Sequence, residues 1–350
     1  MTALTPSLFS SVAPELILTG AGVLILLLEA FVPSIRRAFT ALAAVSVLVA
    51  GWAAWAWVPA GVSFGGLLTA SPVTLAFSFV VLTGALLGLL ASQGYLERER
   101  IENGEYQALF LWCVAGLLFM LRSTELLTIF VSLELLSLCL YALAGFHRRI
   151  MIGSEAALKY FLMGAFASAF VLYGIALVYG ETGTTRLSGV AQVFAGEVSP
   201  LGGLGIVLLI AGFGFKMSIV PFHAWAPDTY QGAPSPFVAF LSVAPKAASA
   251  LVLVHVLAAA APSAARFDWS GLVALLAVLS MLVGNLFALV QKDIKRMLAY
   301  SGIAHMGYLL IALVSLTPDA VTPVLVYVAA YTLMNAGAFA IVSILYLRPG

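Results

Sequence analysis

The stretch Leu201-Gly-Gly-Leu-Gly-Ile-Val-Leu-Leu-Ile-Ala-Gly-Phe-Gly-Phe-Lys-Met-Ser-Ile-Val-Pro-Phe-His223 decides the fold. A helix crosses the hydrocarbon core with about 20 apolar residues, and 201–222 meets that length with Lys216 inside it. A charge near the bilayer centre costs at least about 3 kcal/mol, so such residues are rare and usually line a polar path for ions or protons. Gly212 and Gly214 precede the lysine and Pro221 follows it. That run predicts a helix broken around 212–221, which frees backbone groups to face a cavity.

The rest of the chain is of the same kind. Hydrophobic residues make up 63% and charged residues 9%, against about a quarter charged in a soluble domain. About eleven apolar runs follow one another, at 12–32, 38–58, 72–93, 106–121, 124–145, 154–179, 201–222, 236–260, 270–290, 297–316 and 321–347. The fold class is therefore all-α, a polytopic transmembrane helical bundle. The first run is too long, and its Met1–Ser11 lead too uncharged, for a cleaved signal peptide, so it reads as a helix. A net charge of +1 without a basic patch outside the short loops gives no support for nucleic acid. Cys113 and Cys139 both fall within helices, with no CxxC and no His/Cys cluster, so no metal, haem or iron–sulfur site is expected here. With no convincing strand, no Gly-rich nucleotide fingerprint follows one. Any redox chemistry is expected in another subunit.

Loop charges alternate along the chain. Arg36, Arg37, Arg98, Arg100, Arg148, Arg149, Lys292, Lys295, Arg296 and Arg348 fall on one side, and Arg122, Arg186 and Arg266 on the other. Ten against three, with Lys159, Lys216 and Lys246 inside helices, accounts for all sixteen basic residues. The positive-inside rule puts the ten in the cytoplasm and the N-terminus on the periplasmic side. The charged segment 97–105 reads as a cytoplasmic connector or short surface helix, and 180–200 as an external loop.

Four charged groups lie inside apolar runs: Glu134, Lys159, Lys216 and Lys246. Ser137 and Tyr141 share a helix face with Glu134 and offer it hydroxyls; the alternative is a structural glutamate. Lys159 follows Glu155 at the spacing of an intrahelical ion pair, and it is also close enough to the helix start to snorkel. His223 shares the face of Lys216 if the helix continues. A carboxylate that moves toward or away from a desolvated lysine switches it between holding and releasing a proton, and Glu134 is the candidate partner. Lys246 follows Pro245, with Ser249 as its i+3 neighbour. His255 lies nine residues on, facing the opposite side. His255 and His305 each suit a proton path or a helix-packing hydrogen bond.

The segments Val131–Leu143, Glu155–Ala165, Gly214–Pro236 and Lys292–His305 resemble subunit N of the proton-pumping NADH–quinone oxidoreductase, respiratory complex I. The likeness covers nearly the whole chain. The block from Lys216 to Pro221-Phe-His-Ala-Trp225 is shared by antiporter-like subunits generally, while the Glu134 and Glu155–Phe161 helices point to subunit N among them. The resemblance implies inverted five-helix repeats within about fourteen helices, each repeat holding a broken helix. It implies that Glu134 modulates Lys216 and that Lys159 and Lys246 belong to a polar axis across the membrane interior. His223 and His305, from the reading of the residues themselves, are further candidates for proton translocation. The resemblance assigns NADH, flavin, iron–sulfur clusters and quinone to partner subunits and none to this chain. The implied partners are other complex I membrane subunits, including antiporter-like neighbours, with the lipid bilayer and protons, in the bacterial cytoplasmic membrane.

The implied organisation is a three-helix segment with its connector over 1–105, a first repeat over 106–260 and the start of a second over 270–350. The second repeat is expected to continue past Gly350 with a further lysine-bearing broken helix, so the chain reads as a fragment or truncated product. Two other functions compete with the leading one. One is a subunit of a cation/proton antiporter or membrane-bound hydrogenase. The other is a scaffold without its own proton path, against which four buried ionisable groups argue, because a scaffold gains nothing from their desolvation.

Overall fold

In lipid no water satisfies the backbone, so each apolar run must close its hydrogen bonds internally as a helix. The computed structural model describes residues 6–101, 103–147, 151–315 and 317–345. Arg148, Arg149, Arg348 and the first five residues of the Met1–Ser11 lead lie outside the described residues. The helices are α1 (Pro6–Ser11), α2 (Ala13–Phe31), α3 (Phe39–Ala56), α4 (Pro72–Glu99), α5 (Gly104–Arg122), α6 (Leu126–Ala144), α7 (Met151–Thr182) and α8 (Leu187–Phe194). They continue as α9 (Pro200–Met217), α10 (Trp225–Gly232), α11 (Ser235–Leu241), α12 (Ala244–Ala260), α13 (Trp269–Leu289), α14 (Ile294–Leu313) and α15 (Val321–Leu345).

Ten described segments are long and apolar enough to cross a membrane, α11 and α12 together forming one of them. The remaining run of the sequence, 297–316, corresponds to α14, a 20-residue helix with Lys295 and Arg296 in its first turn. It lies along α13, so about eleven membrane helices remains a fair description.

Polar residues at the run boundaries start these helices. Ser71 and Thr74 form a reciprocal capping box on α4, with Thr74 N donating to Ser71 Oγ at 3.2 Å and Ser71 N to Thr74 Oγ1 at 2.9 Å. Side chains of Glu125, Ser199, Asp268 and Asp293 accept from the first-turn amides of α6, α9, α13 and α14.

Two expectations about the connections change. A small antiparallel hairpin, β1 (Gly61–Ser63) and β2 (Leu68–Ala70), forms between α3 and α4 with Val62 opposite Thr69. Its strands are too short to show an alternating pattern, and Phe64, Gly65 and Gly66 supply the positive φ angles of the turn. The 180–200 segment is not all loop. It includes the end of α7 and all of α8, which covers α12 and the 3₁₀ turn after it. The core of the bundle is the α11–α12 segment, enclosed by α4, α5, α9 and α15.

Candidate functional site: two buried lysines at two helix breaks

Lys216 lies in the last turn of α9, where the helix stops. Gly212 and Gly214 remain helical, and the break comes after the lysine, at Ser218, whose φ of 62° is left-handed. The freed groups find partners. Ile219 N donates to Gly214 O at 2.9 Å, Trp225 Nε1 to Phe215 O at 2.8 Å, and Val220 N to Ser280 Oγ of α13 at 2.9 Å. The chain then re-enters helix as α10.

A second break, at Ser242 and Val243, separates α11 from α12 and places Lys246 in the first turn of α12 beside Pro245. The two lysines therefore occupy opposite ends of helix dipoles, favourable for a cation at Lys216 and unfavourable at Lys246.

Both ammonium groups are enclosed. Lys216 is 4% and Lys246 1% exposed, and neither Nζ has a hydrogen-bond partner among the described residues. Instead, Lys216 Nζ lies 5.2 Å from the Tyr141 ring centre and 5.5 Å from that of Tyr160, and Lys246 Nζ lies 5.7 Å from that of Tyr230. These are cation–π distances, each worth about 1–2 kcal/mol when desolvated, which offsets only part of the cost of burying a charge. An aromatic wall connects the two pockets, with Tyr160 stacked on Trp225 at 4.5 Å and Trp225 edge-on to Tyr230 at 6.3 Å.

Buried hydroxyls of Tyr141, Tyr160, Tyr230, Ser218, Thr229, Ser249 and Thr332 also lack partners among the described residues. Buried polar groups without protein partners are where ordered water binds.

Two glycines make room at these pockets. A Cβ on Gly164 would lie 2.0 Å from the Tyr141 hydroxyl, so only glycine lets α7 approach that ring. A Cβ on Gly302 of α14 would lie 3.1 Å from Lys246 Nζ and 2.9 Å from the Tyr331 hydroxyl. That hydroxyl accepts from Asn335 Nδ2 at 3.2 Å, and its ring is 5.2 Å from that of His305. His305 Nδ1 shares a 2.6 Å hydrogen bond with the Tyr327 hydroxyl. His305 thus belongs to the Lys246 pocket.

The remaining expected residues fall as follows. Glu134 is partly buried on α6, within electrostatic reach of Lys216. Its hydroxyl partner is Ser168 of α7, donating at 2.5 Å, rather than Ser137 or Tyr141. Ser137 instead donates to the carbonyl of Leu133 one turn back, as serines in helices commonly do. His223 does not share a face with Lys216, because the break at Ser218 intervenes; its Nδ1 is buried without a partner. His255 is not part of either pocket and lines a cavity at the Arg186 end of the bundle.

Lys159 departs most from expectation. Its side chain is 46% exposed on the outer face of α7, not buried, and it pairs with Glu155 at 2.7 Å, as the i,i+4 spacing predicts, and with Asp228 at 2.9 Å. Asp228, Ser168, Gly302, Tyr327 and Tyr331 escape sequence reasoning. Only Asp228 carried a signal, as the acid of the quoted Gly214–Pro236 block.

A bundle of membrane-length helices with two helix breaks, each presenting a buried lysine, defines a protein of the antiporter-like membrane class. Residues 123–349 match the family model described as NADH:quinone oxidoreductase/Mrp antiporter, TM. NADH-quinone oxidoreductase subunit N of Trichlorobacter lovleyi is 42% identical over 340 residues, which cover 95% of this chain and 69% of that protein. A chain of respiratory complex I from Thermus thermophilus superposes with a TM-score of 0.79 at 37% identity, covering 94% of this chain and 70% of that one. A chain of an archaeal membrane-bound sulfane sulfur reductase matches with a TM-score of 0.82 at 25% identity, covering 94% and 70%. The chain belongs to the NADH-quinone oxidoreductase subunit N family.

Proposed function

We propose that this chain is the antiporter-like membrane subunit of a proton-pumping NADH–quinone oxidoreductase, with no redox cofactor of its own, and that it carries protons along Glu134, Lys216, Lys246 and His305. One observation carries this reading: two lysines sit fully enclosed at two helix breaks, and among the described residues no carboxylate is hydrogen-bonded to either. A structural lysine would be held by a partner. An ammonium without one is poised to give up its proton when its surroundings change.

Glu134 is the group whose approach or withdrawal sets the charge on Lys216. Water bound at the orphaned hydroxyls between the pockets passes the proton to Lys246, and the His305–Tyr327 pair receives it. NADH and quinone react in partner subunits, which drive the path through conformational or electrostatic change. His223 is a secondary candidate, since its unpartnered Nδ1 lies in the segment that breaks the helix. The end carrying Arg36, Arg98 and Arg296 faces the cytoplasm.

Complexes carrying Lys216→Ala, checked for assembly, test the proposal by NADH–quinone electron transfer and proton pumping measured together. The expected result is loss of pumping, alone or with electron transfer. Wild-type values for both would mean that the buried charges are structural.

A further inference from the structure

Between the two lysine pockets lies α10, a helix of eight residues flanked by non-helical chain. Isolated helices below about 12 residues are marginal, so α10 depends on outside ties. Its ends of interest are Trp225, which stacks on Tyr160, and Tyr230, which underlies Lys246.

Its polar side is held from two helices. Asp228 Oδ2 pairs with Lys159 Nζ of α7 at 2.9 Å, and Oδ1 with Arg296 Nη1 of α14 at 2.5 Å. Arg296 Nη1 also donates to Gln231 Oε1 at 3.1 Å. The neighbouring Lys295 Nζ donates to the carbonyls of Gln231 and Ala233 at 2.9 and 2.7 Å, at the C-terminal end of α10, where a cation also complements the helix dipole. Lys159 precedes Tyr160, so one turn of α7 grips α10 by an ion pair outside and a stacked ring inside. Arg296 begins the helix whose Gly302 and His305 face Lys246.

We infer that Lys159, Asp228 and Arg296 form a cation–carboxylate–cation clamp that positions α10 between the two proton-carrying lysines, and that Lys159 is a positioning residue rather than a proton carrier. The inference rests on the reading of Lys216 and Lys246 as carriers. Lys159 has the wrong surroundings for a carrier. Its ammonium is shared between two carboxylates, and loss of its proton would take the cation from Glu155 and leave Asp228 with Arg296 alone.

Arginine separates the two roles, because a guanidinium keeps its charge and does not release a proton in proteins. In the assembled complex, Lys159→Arg, Lys159→Gln, Asp228→Asn and the Lys159→Gln/Asp228→Asn double variant are compared by pumping and by amide exchange over residues 225–233. A clamp predicts that Lys159→Arg keeps both at wild-type levels. It predicts that Lys159→Gln and Asp228→Asn each lower pumping and raise exchange by roughly 2–5-fold, the range for a partly exposed ion pair, and that the double variant adds little to Asp228→Asn, which already removes the pair with Lys159 along with that with Arg296.

Lys159→Arg losing pumping as fully as Lys159→Gln, with exchange unchanged, would make Lys159 a proton carrier and overturn the inference. Unchanged exchange in Asp228→Asn would overturn the clamp itself. Lys216→Ala run alongside keeps the underlying reading separate, because normal pumping there defeats the proton path while the exchange data still judge the clamp.

Discussion

Two buried cations in this chain are treated in opposite ways. Arg122, at the end of α5, donates to Glu15 of α2 at 2.7 Å and to the carbonyl of Ser11 at 2.5 Å, so its charge is answered. Lys216, equally buried, has only ring faces. The first arrangement is a lock between helices and the second is a site for changing charge. Glu15 is 1% exposed, and its Oε2 already lacks a partner, so removing its cation strands a carboxylate in the bundle. Breaking one side of a buried pair costs about 3–5 kcal/mol. Arg122→Met should therefore lower the thermal midpoint of the detergent-solubilised protein sharply, whereas Glu15→Leu combined with Arg122→Met should recover most of the loss. Equal losses in the single and double variants would show that the lock is not electrostatic. The lock is not legible in the sequence, and for Lys159 the sequence leaves a buried and a snorkelling position both open. Glu15 lies 107 residues before Arg122, beyond any spacing argument. On α7 both the lipid-facing and the bundle-facing residues are apolar, so a lysine in that run gives no sign of which way it points. Lys216 and Lys246 were legible because their neighbours are apolar on every side.

At the scale of elements, the two helix breaks were unequally visible. Gly212, Gly214 and Pro221 announced the first, although the glycines stay helical and the turn comes at Ser218. The second break, at Ser242 and Val243, has no glycine, and its Pro245 sits inside the new helix where proline is tolerated. Composition alone therefore read 236–260 as one span. The strap at the opposite end of the bundle from Arg296 was hidden for a similar reason, since its contacts join distant segments. There Thr124 Oγ1 donates to Gly66 O and Arg186 Nη2 to Gly65 O at 2.8 Å, tying the hairpin to the α5–α6 and α7–α8 connections. Glu125 fastens this strap, capping α6 through Thr128 while accepting from the Thr185 hydroxyl. Burial pushes its carboxyl upward, but the hydrogen bonds from Thr185 and Thr128 outweigh it and hold the group below its ordinary value. A carboxylate depressed in the folded state stabilises fully above its unfolded value of about 4.3 and loses that contribution as pH falls through the folded value. Amide exchange over 184–187, corrected for its intrinsic pH dependence, should thus stay slow at pH 6 and rise only on acidification below about pH 4. Thr185→Val should shift that rise to higher pH, and an unchanged profile in the variant would remove Glu125 from the strap.

The whole molecule presents two unlike ends and an apolar girdle. Arg36, Arg37, Gln93, Glu97, Asn103 and Gln107 converge at one end, and the Lys159–Asp228–Arg296 cluster belongs to the same set of helix termini. The hairpin, Arg186 and the His255 cavity mark the other end. The helices between expose leucine, valine and phenylalanine side chains such as Leu90, Val131, Phe166 and Leu282, which suits lipid or the apolar faces of neighbouring subunits. Trp52, Trp55 and Trp57 stand exposed near the hairpin end of α3, where aromatic side chains mark a membrane–water interface. Among the described residues, Arg36 and Arg37 meet the 93–107 segment, which the loop charges assign to the same side. The proposed cytoplasmic orientation of the first end rests on the excess of lysine and arginine there, a bias that sets orientation during insertion. Single cysteines can read it directly, since Cys113 and Cys139 are buried and give little background. Ser188→Cys, exposed at the hairpin end, should react with a membrane-impermeant maleimide in intact spheroplasts. Glu97→Cys, exposed at the basic end and removing an acid that contributes little to the bias, should react only after permeabilisation. The reverse pattern would invert the bundle. The Lys159–Asp228–Arg296 clamp would then lie on the periplasmic side, and the first break would open its lysine toward the opposite proton reservoir.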